Sequence, residues 1–113
     1  MGDVCILIPS LALSMLRKFT VGAELFVRFV GFEEFVRELR ACGRVVSYVR
    51  HKPTNDLLAQ HVALEVATGE YTLEEDHKIY IVALKFRTPV SGQDVQVKPE
   101  DLLVAKLTIT WGA

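Results

Sequence analysis

Glu24-Leu25-Phe26-Val27-Arg28-Phe29-Val30, then Gly31, then Phe32-Glu33-Glu34-Phe35-Val36-Arg37-Glu38-Leu39-Arg40-Ala41-Cys42-Gly43, changes its hydrophobic period halfway along. The first seven residues alternate imperfectly and are rich in β-branched and aromatic types, which predicts a strand. Phe32, Phe35, Val36 and Leu39 then recur at helical spacing. Glu33 and Glu34 stand in the first turn of that segment, Arg37 and Arg40 near its end, and Gly43 just beyond. Charges so placed complement the helix dipole, and glycine is a common stop. A strand followed at once by a helix sets the class.

Working outward, Val4–Ile8 is a short apolar run ended by Pro9-Ser10, as expected of a buried strand. A loop runs through Arg17-Lys18. Arg44–His51 fits either a short helix or an extended segment. Pro53-Thr54 opens a second helix, expected to carry Leu57, Leu58, His61, Val62, Leu64 and Val66 and to stop near Gly69. Tyr71–Leu73 and Lys78–Phe86 read as a hairpin turning through Glu74–His77. A loop at Thr88–Gln93, a helical turn at Pro99–Leu103 and a last strand at Lys106–Thr110 complete the chain. This order predicts an α+β domain, a mixed sheet with flanking helices, spanning residues 1–113. The seven glycines are scattered, which excludes Gly-rich phosphate loops.

Composition narrows the function classes. A formal net charge of −1 excludes a protein that coats duplex DNA non-specifically, so any anion must be held by a local site. The N-terminal apolar stretch is too short to span a bilayer and lacks the features of a signal peptide, which points to a cytoplasmic protein. Cys5 and Cys42 form no C-x-x-C and have no histidine pair nearby, so both read as small buried hydrophobes. Asn55 is the sole asparagine, and Gln60, Gln93 and Gln96 are the sole glutamines, which suits a thermophile. Glu33-Glu34, Glu74-Glu75-Asp76 and Glu100-Asp101 are adjacent runs that do not converge, so no metal site is expected.

Chemistry concentrates in Ser47-Tyr48-Val49-Arg50-His51-Lys52-Pro53-Thr54-Asn55-Asp56-Leu57-Leu58. His51 immediately precedes a helix start, beside backbone N–H groups that suit a phosphate. Arg44, Arg50 and Lys52 add positive charge nearby. An imidazole there can protonate a leaving alkoxide, although the same pattern also suits a solvated surface histidine. Asp56 opposes a phosphate at that helix start. His61 is expected half in the core, and His77 in solvent. Arg87, at the end of a strong strand and before Pro89 and Gly92, can clamp phosphate with its guanidinium.

These residues together resemble the viral type III anti-CRISPR ring nucleases, small proteins of archaeal viruses. Ile6-Leu7-Ile8-Pro9-Ser10 is similar to the family's first strand, which ends in Asn-Ser. Ser47-x-x-Arg50-His51-x-x-Thr54-x-x-Leu57-Leu58 resembles its Ser-x-x-Gly-His-x-x-Thr-Ala-x-Leu-Leu signature. Arg87-Thr88-Pro89-Val90-Ser91-Gly92 resembles its Arg-Leu-Pro-Glu-Gly loop, and Val97–Leu103 its closing turn.

The resemblance implies a five-stranded mixed sheet, a two-fold homodimer and cleavage of cyclic tetra-adenylate without metal or cofactor. His51 becomes the general acid and Arg87 the group that stabilises charge on phosphate. Ser10, Arg50, Lys52, Thr54, Ser91 and Gly92 become ligand contacts. Four departures stand out. Arg50 replaces the family glycine, Asn55 its alanine and Pro9 its asparagine, while Val90-Ser91 replaces its loop glutamate with one residue inserted. Slower cleavage, substitution by Asp94, and binding without cleavage all follow as alternatives. So does an interaction homodimer with no nucleotide affinity.

Overall fold

Val4–Ile8 forms strand β1, and Cys5 through Ile8 are all buried. An all-apolar run is what a strand covered on both faces requires. The structure is a computed structural model and describes residues 3–12, 15, 22–74, 76–85 and 97–110. Around β1 lie β2 (Glu24–Val30), β3 (Arg44–Ser47), β4 (Glu65–Val66), β5 (His77–Leu84) and β6 (Leu102–Thr110). Their order across the mixed six-stranded sheet is β2-β6-β5-β1-β3-β4. β1 runs parallel to both β3 and β5, and β3 runs parallel to β4. β6 is antiparallel to both β5 and β2.

Two helices, α1 (Phe32–Ala41) and α2 (Lys52–Ala59), contribute to the core on one face. Phe35 and Leu39 of α1 and Leu57 and Leu58 of α2 pack there with Cys5, Leu7, Val45, Tyr80, Val82 and Val104. Each such side chain contributes about 2 kcal/mol on burial. Tyr80, fully buried on this face, donates its hydroxyl to Glu38 at 2.7 Å, and Lys106 Nζ reaches the same carboxylate oxygen at 2.7 Å. Burial raises the Glu38 pKa, but the Lys106 and Tyr80 bonds outweigh it, and the carboxyl ends below its ordinary value. The opposite face carries no α-helix among the described residues. Ile6, Ile8, Val46, Ile79 and Leu107 are covered there by Tyr71 and Leu73 of a coil segment.

The expected mixed sheet and α+β class hold, with one strand more than the five expected. The extra strand comes from the chain that was expected to extend the second helix. That helix stops at Ala59, because Glu65 and Val66 pair with Val46 and Ser47 instead. Sheet hydrogen bonds and the Arg44–Glu65 ion pair at 2.7 Å override the continuing apolar spacing. Arg44–Ser47 resolves as strand. Tyr71–Leu73 forms no strand, so no hairpin precedes β5; its tyrosine and leucine cap the sheet face instead. β6 begins at Leu102, directly after a 3-10 turn at Pro99–Asp101. Gly43 does not take the left-handed conformation usual after a helix. Its N–H and that of Arg44 instead bond Asp3 O at 2.9 and 3.3 Å, carrying the chain straight into β3.

The cysteines are the clearest correction. Cys5 and Cys42 are joined as a disulfide rather than lying as two free buried hydrophobes. Cys5 is on β1 and Cys42 caps α1, and the β1–β3 pairing brings their Cα atoms to 6.1 Å across 37 residues of sequence. Closing a loop of that length stabilises the fold by about 4 kcal/mol in the chain-entropy view.

Candidate functional site

Because β1, β3, β4 and β5 share one direction, their carboxyl ends lie along a single edge of the sheet. The strand order also reverses at β1: β3 and β4 extend to one side, β5 and β6 to the other. In open α/β sheets, the crevice outside the carboxyl ends at such a reversal is where ligands bind. Segments leave the sheet here after β1, β2, β3, β4 and β5, and three of them lead to candidate residues. Pro9-Ser10 follows β1, Tyr48–His51 follows β3, and Lys85 follows β5.

The segment after β3 is held by a buried polar network. Ser47 Oγ donates to Asn55 Oδ1 at 2.7 Å, Asn55 Nδ2 donates to Val49 O at 2.7 Å, and Val49 N–H donates to Ser47 Oγ at 3.2 Å. Ser47 and Asn55 are both buried, so each unmade bond would cost about 1–3 kcal/mol. The network fixes the path of the chain from β3 into α2. At its end His51 takes the N-cap position of α2, with Pro53 in the first turn. Its carbonyl accepts from the N–H of Thr54 at 3.1 Å and of Asn55 at 3.2 Å.

The half-buried His51 ring is oriented by Thr54. Nδ1 lies 2.8 Å from the Thr54 hydroxyl, which is itself buried. In the imidazolium form Nδ1–H donates to that hydroxyl. Nε2 then carries a proton with no acceptor among the described residues, the arrangement a general acid needs.

The other candidates divide. Arg50 is exposed and has no ion-pair partner among the described residues, so its charge is free beside His51. Lys52 is exposed too, but its Nζ is 2.9 Å from Asp56, whose hydrogen bond and charge raise the lysine pKa. Asp56 itself lies beyond the first turn of α2, which carries no acidic residue. Ser10 is exposed just past the end of β1. Thr54 is buried, with its hydroxyl against the His51 ring. Arg44 departs from expectation. It begins β3 while His51 follows the end of that strand, and it is held by Glu65 through Nε at 2.7 Å and Nη2 at 3.0 Å. It contributes nothing at the carboxyl edge. Arg87, Ser91, Gly92 and Asp94 lie outside the described residues, Arg87 three positions beyond the end of β5.

His61 sits half-buried just past α2, edge-on to Phe32 with ring centroids 5.2 Å apart. With Lys85 it lines a cavity of about 730 Å³, but Glu33, Glu34 and Glu100 line it too and disfavour phosphate. His77 is not in a solvent turn as expected. It starts β5, is half-buried, and its Nδ1 lies 2.6 Å from the Tyr71 hydroxyl. Sequence reading also missed the Ser47–Asn55 network. Its one signal was an asparagine at a position inside an apolar helix face.

The fold resembles that of B116 of Sulfolobus turreted icosahedral virus (STIV). The TM-score is 0.69, with 15% sequence identity, over 95% of this chain and 99% of that protein. At that identity the likeness establishes the fold, and the neighbour is a protein of an archaeal virus. No family model and no curated protein sequence matches the chain. No helix among the described residues is long and apolar enough to cross a membrane.

Proposed function

We propose that this chain is a viral ring nuclease that cleaves cyclic tetra-adenylate without metal or cofactor, suppressing type III CRISPR immunity in the host cytoplasm. The observation that carries this reading is the placement of His51. It stands at the mouth of α2, its Nδ1 held by Thr54, on the sheet edge where the strand order reverses. The fold shared with an archaeal viral protein supports the viral context. A Cys5–Cys42 disulfide in an intracellular protein suits a hyperthermophilic host, where such bonds are common.

The reaction is an internal transfer. A ribose 2′-oxygen attacks the adjacent phosphorus in line, the bond from phosphorus to the 5′-oxygen breaks, and a 2′,3′-cyclic phosphate forms. His51 Nε2–H gives its proton to the departing 5′-oxygen, and the 2′-hydroxyl proton passes to water or to a carboxylate such as Asp94. Arg87 balances the charge that grows on the phosphate, while Ser10, Arg50, Lys52, Ser91 and Gly92 hold the ring. In the first turn of α2, Pro53 has no N–H and those of Thr54 and Asn55 bond His51 O, so the Lys52 N–H and the helix dipole are what favour the phosphate.

A second reading is a non-cleaving binder of the same ring, favoured by the loop Arg87–Gly92, where no carboxylate stands. Incubation with cyclic tetra-adenylate in EDTA, followed by chromatography and mass spectrometry, separates the two. Linear products ending in 2′,3′-cyclic phosphate are expected. An intact ring that nevertheless raises the melting temperature selects the binder. An intact ring with no thermal shift rejects both.

A further inference from the structure

The sheet face opposite the two helices is covered unevenly. Tyr71 and Leu73 pack on it, yet a cleft of about 340 Å³ remains between Tyr71 and the β4 edge. Val4 and Ile6 of β1 and Val46 of β3 line it from the sheet. His77 stands on its β5 side and the Arg44–Glu65 ion pair on its β3–β4 side. Val4, Arg44 and His77 each open their strand, so the cleft starts at the amino edge, and His51 does not line it.

The walls are already in place. Tyr71 is buried, and its hydroxyl is tied to His77 Nδ1 at 2.6 Å and to the Glu74 N–H at 3.3 Å. Its ring meets that of half-buried Tyr48 at 47°, with centroids 5.2 Å apart, which makes an aromatic corner. Tyr48 therefore presents the accessible aromatic surface. The ion pair is equally fixed. Arg44 gives Nε and Nη2 to the two Glu65 carboxylate oxygens at 2.7 and 3.0 Å. That side-on pairing leaves the Nη1 donors and the outer carboxylate lone pairs for a ligand. With the Tyr71 proton directed to Nδ1, the neutral His77 ring carries its own hydrogen on Nε2, one donor more.

These features select a ligand. Glu65 repels an anion and Arg44 repels a cation, whereas an uncharged molecule leaves the pair intact. A flat aromatic ring stacks on Tyr48, and donors and acceptors along its edge match the Arg44 donors beside the Glu65 acceptors. We propose that this cleft binds a nucleoside through its uncharged base, stacked on Tyr48 and edge-bonded to the Arg44–Glu65 pair. Its volume lies at the small end of ligand cavities, which run from about 300 to 1,000 Å³. It takes one base with its sugar and not a ring of four nucleotides. The cleft is thus separate from the His51 edge and stands independently of the ring-nuclease reading.

Titration of the intact, isotope-labelled chain with adenosine and guanosine, followed by amide NMR, is the test. Saturable shifts at Val46, Tyr48, Ala67 and His77 are expected, with a dissociation constant of about 0.1–1 mM for a ligand of this size. Tyr48→Leu keeps an apolar side chain but removes the stacking surface, and should weaken binding about 5- to 100-fold. Ala67→Trp, at a half-buried position lining the cleft, should fill it and abolish binding, with the amide spectrum confirming the fold. Benzoate and benzamidinium, flat rings of opposite charge, should give no saturable shifts in the same range. No shifts with either nucleoside, binding unaltered in both variants, or equal binding of the charged rings overturns the proposal. Ala67→Trp should cleave the cyclic ring at the wild-type rate, so failure of the cleft and failure of the His51 reading appear in different assays.

Discussion

Two histidines of this domain stand at opposite edges of one sheet, and each has Nδ1 against a hydroxyl. His51, past the carboxyl end of β3, is 2.8 Å from Thr54. His77, at the amino end of β5, is 2.6 Å from Tyr71. A hydroxyl partner and half-burial are therefore not what makes a histidine a candidate for chemistry. The surroundings differ instead. His51 has beside it the start of α2 and Arg50, which has no ion-pair partner among the described residues, whereas His77 directly follows Asp76 and closes a turn onto Glu74 O at 3.4 Å. The Tyr71 oxygen already accepts from the Glu74 N–H at 3.3 Å, so its proton is directed to His77. One pair stands at a helix start; the other lines a pocket of about 340 Å³ together with Tyr48 and the Arg44–Glu65 ion pair.

The largest expected effect breaks the comparison at its chemical end. His51→Ala should lower the cleavage rate about 10²–10⁴-fold, and His77→Ala should leave it within a few-fold. Equal losses would mean that the carboxyl edge has no special role. Next comes orientation. Thr54→Val keeps the shape but removes the hydroxyl, and the cleavage rate should fall about 10- to 100-fold with little change in ligand affinity.

Arg50→Ala should weaken ring binding by a few-fold at low salt, an effect that fades as salt is raised, since exposed charges are screened over about 10 Å. On the His77 side the effect is on stability alone. Burial, before any other cause, pushes the Tyr71 pKa up to about 12 from 10.0. The unfolded chain then ionises first, so stability present below pH 10 is lost as pH rises toward 12. Tyr71→Phe should flatten that part of the alkaline melting curve and leave cleavage at neutral pH unchanged.

Much of the sheet was legible because its strands carry their own period. The apolar runs of β1 and β5 and the switch from alternation to helical spacing between β2 and α1 depend on neighbouring residues alone. The end of α2 was not legible. Val62, Leu64 and Val66 continue an apolar pattern, and only the tertiary pairing of Glu65 and Val66 with β3 decides against helix. The disulfide was hidden for a similar reason, since 37 residues separate cysteines that meet only once β1 and β3 are side by side. At the candidate site, His51 was found from its position before Pro53. Asn55 had looked like a mere departure from a motif. Its amide in fact closes the Ser47–Val49 turn, a role visible only when the strand end and the helix start are brought together.

The claim most exposed to a single experiment is that His51 hands a proton to the departing oxygen. A cyclic tetra-adenylate whose scissile 5′-oxygens are replaced by sulfur has a leaving group that needs no protonation. The His51→Ala variant should cut the sulfur ring nearly as fast as the wild type does, while remaining about 10²–10⁴-fold slow on the oxygen ring. The same large deficit on both rings would contradict the account.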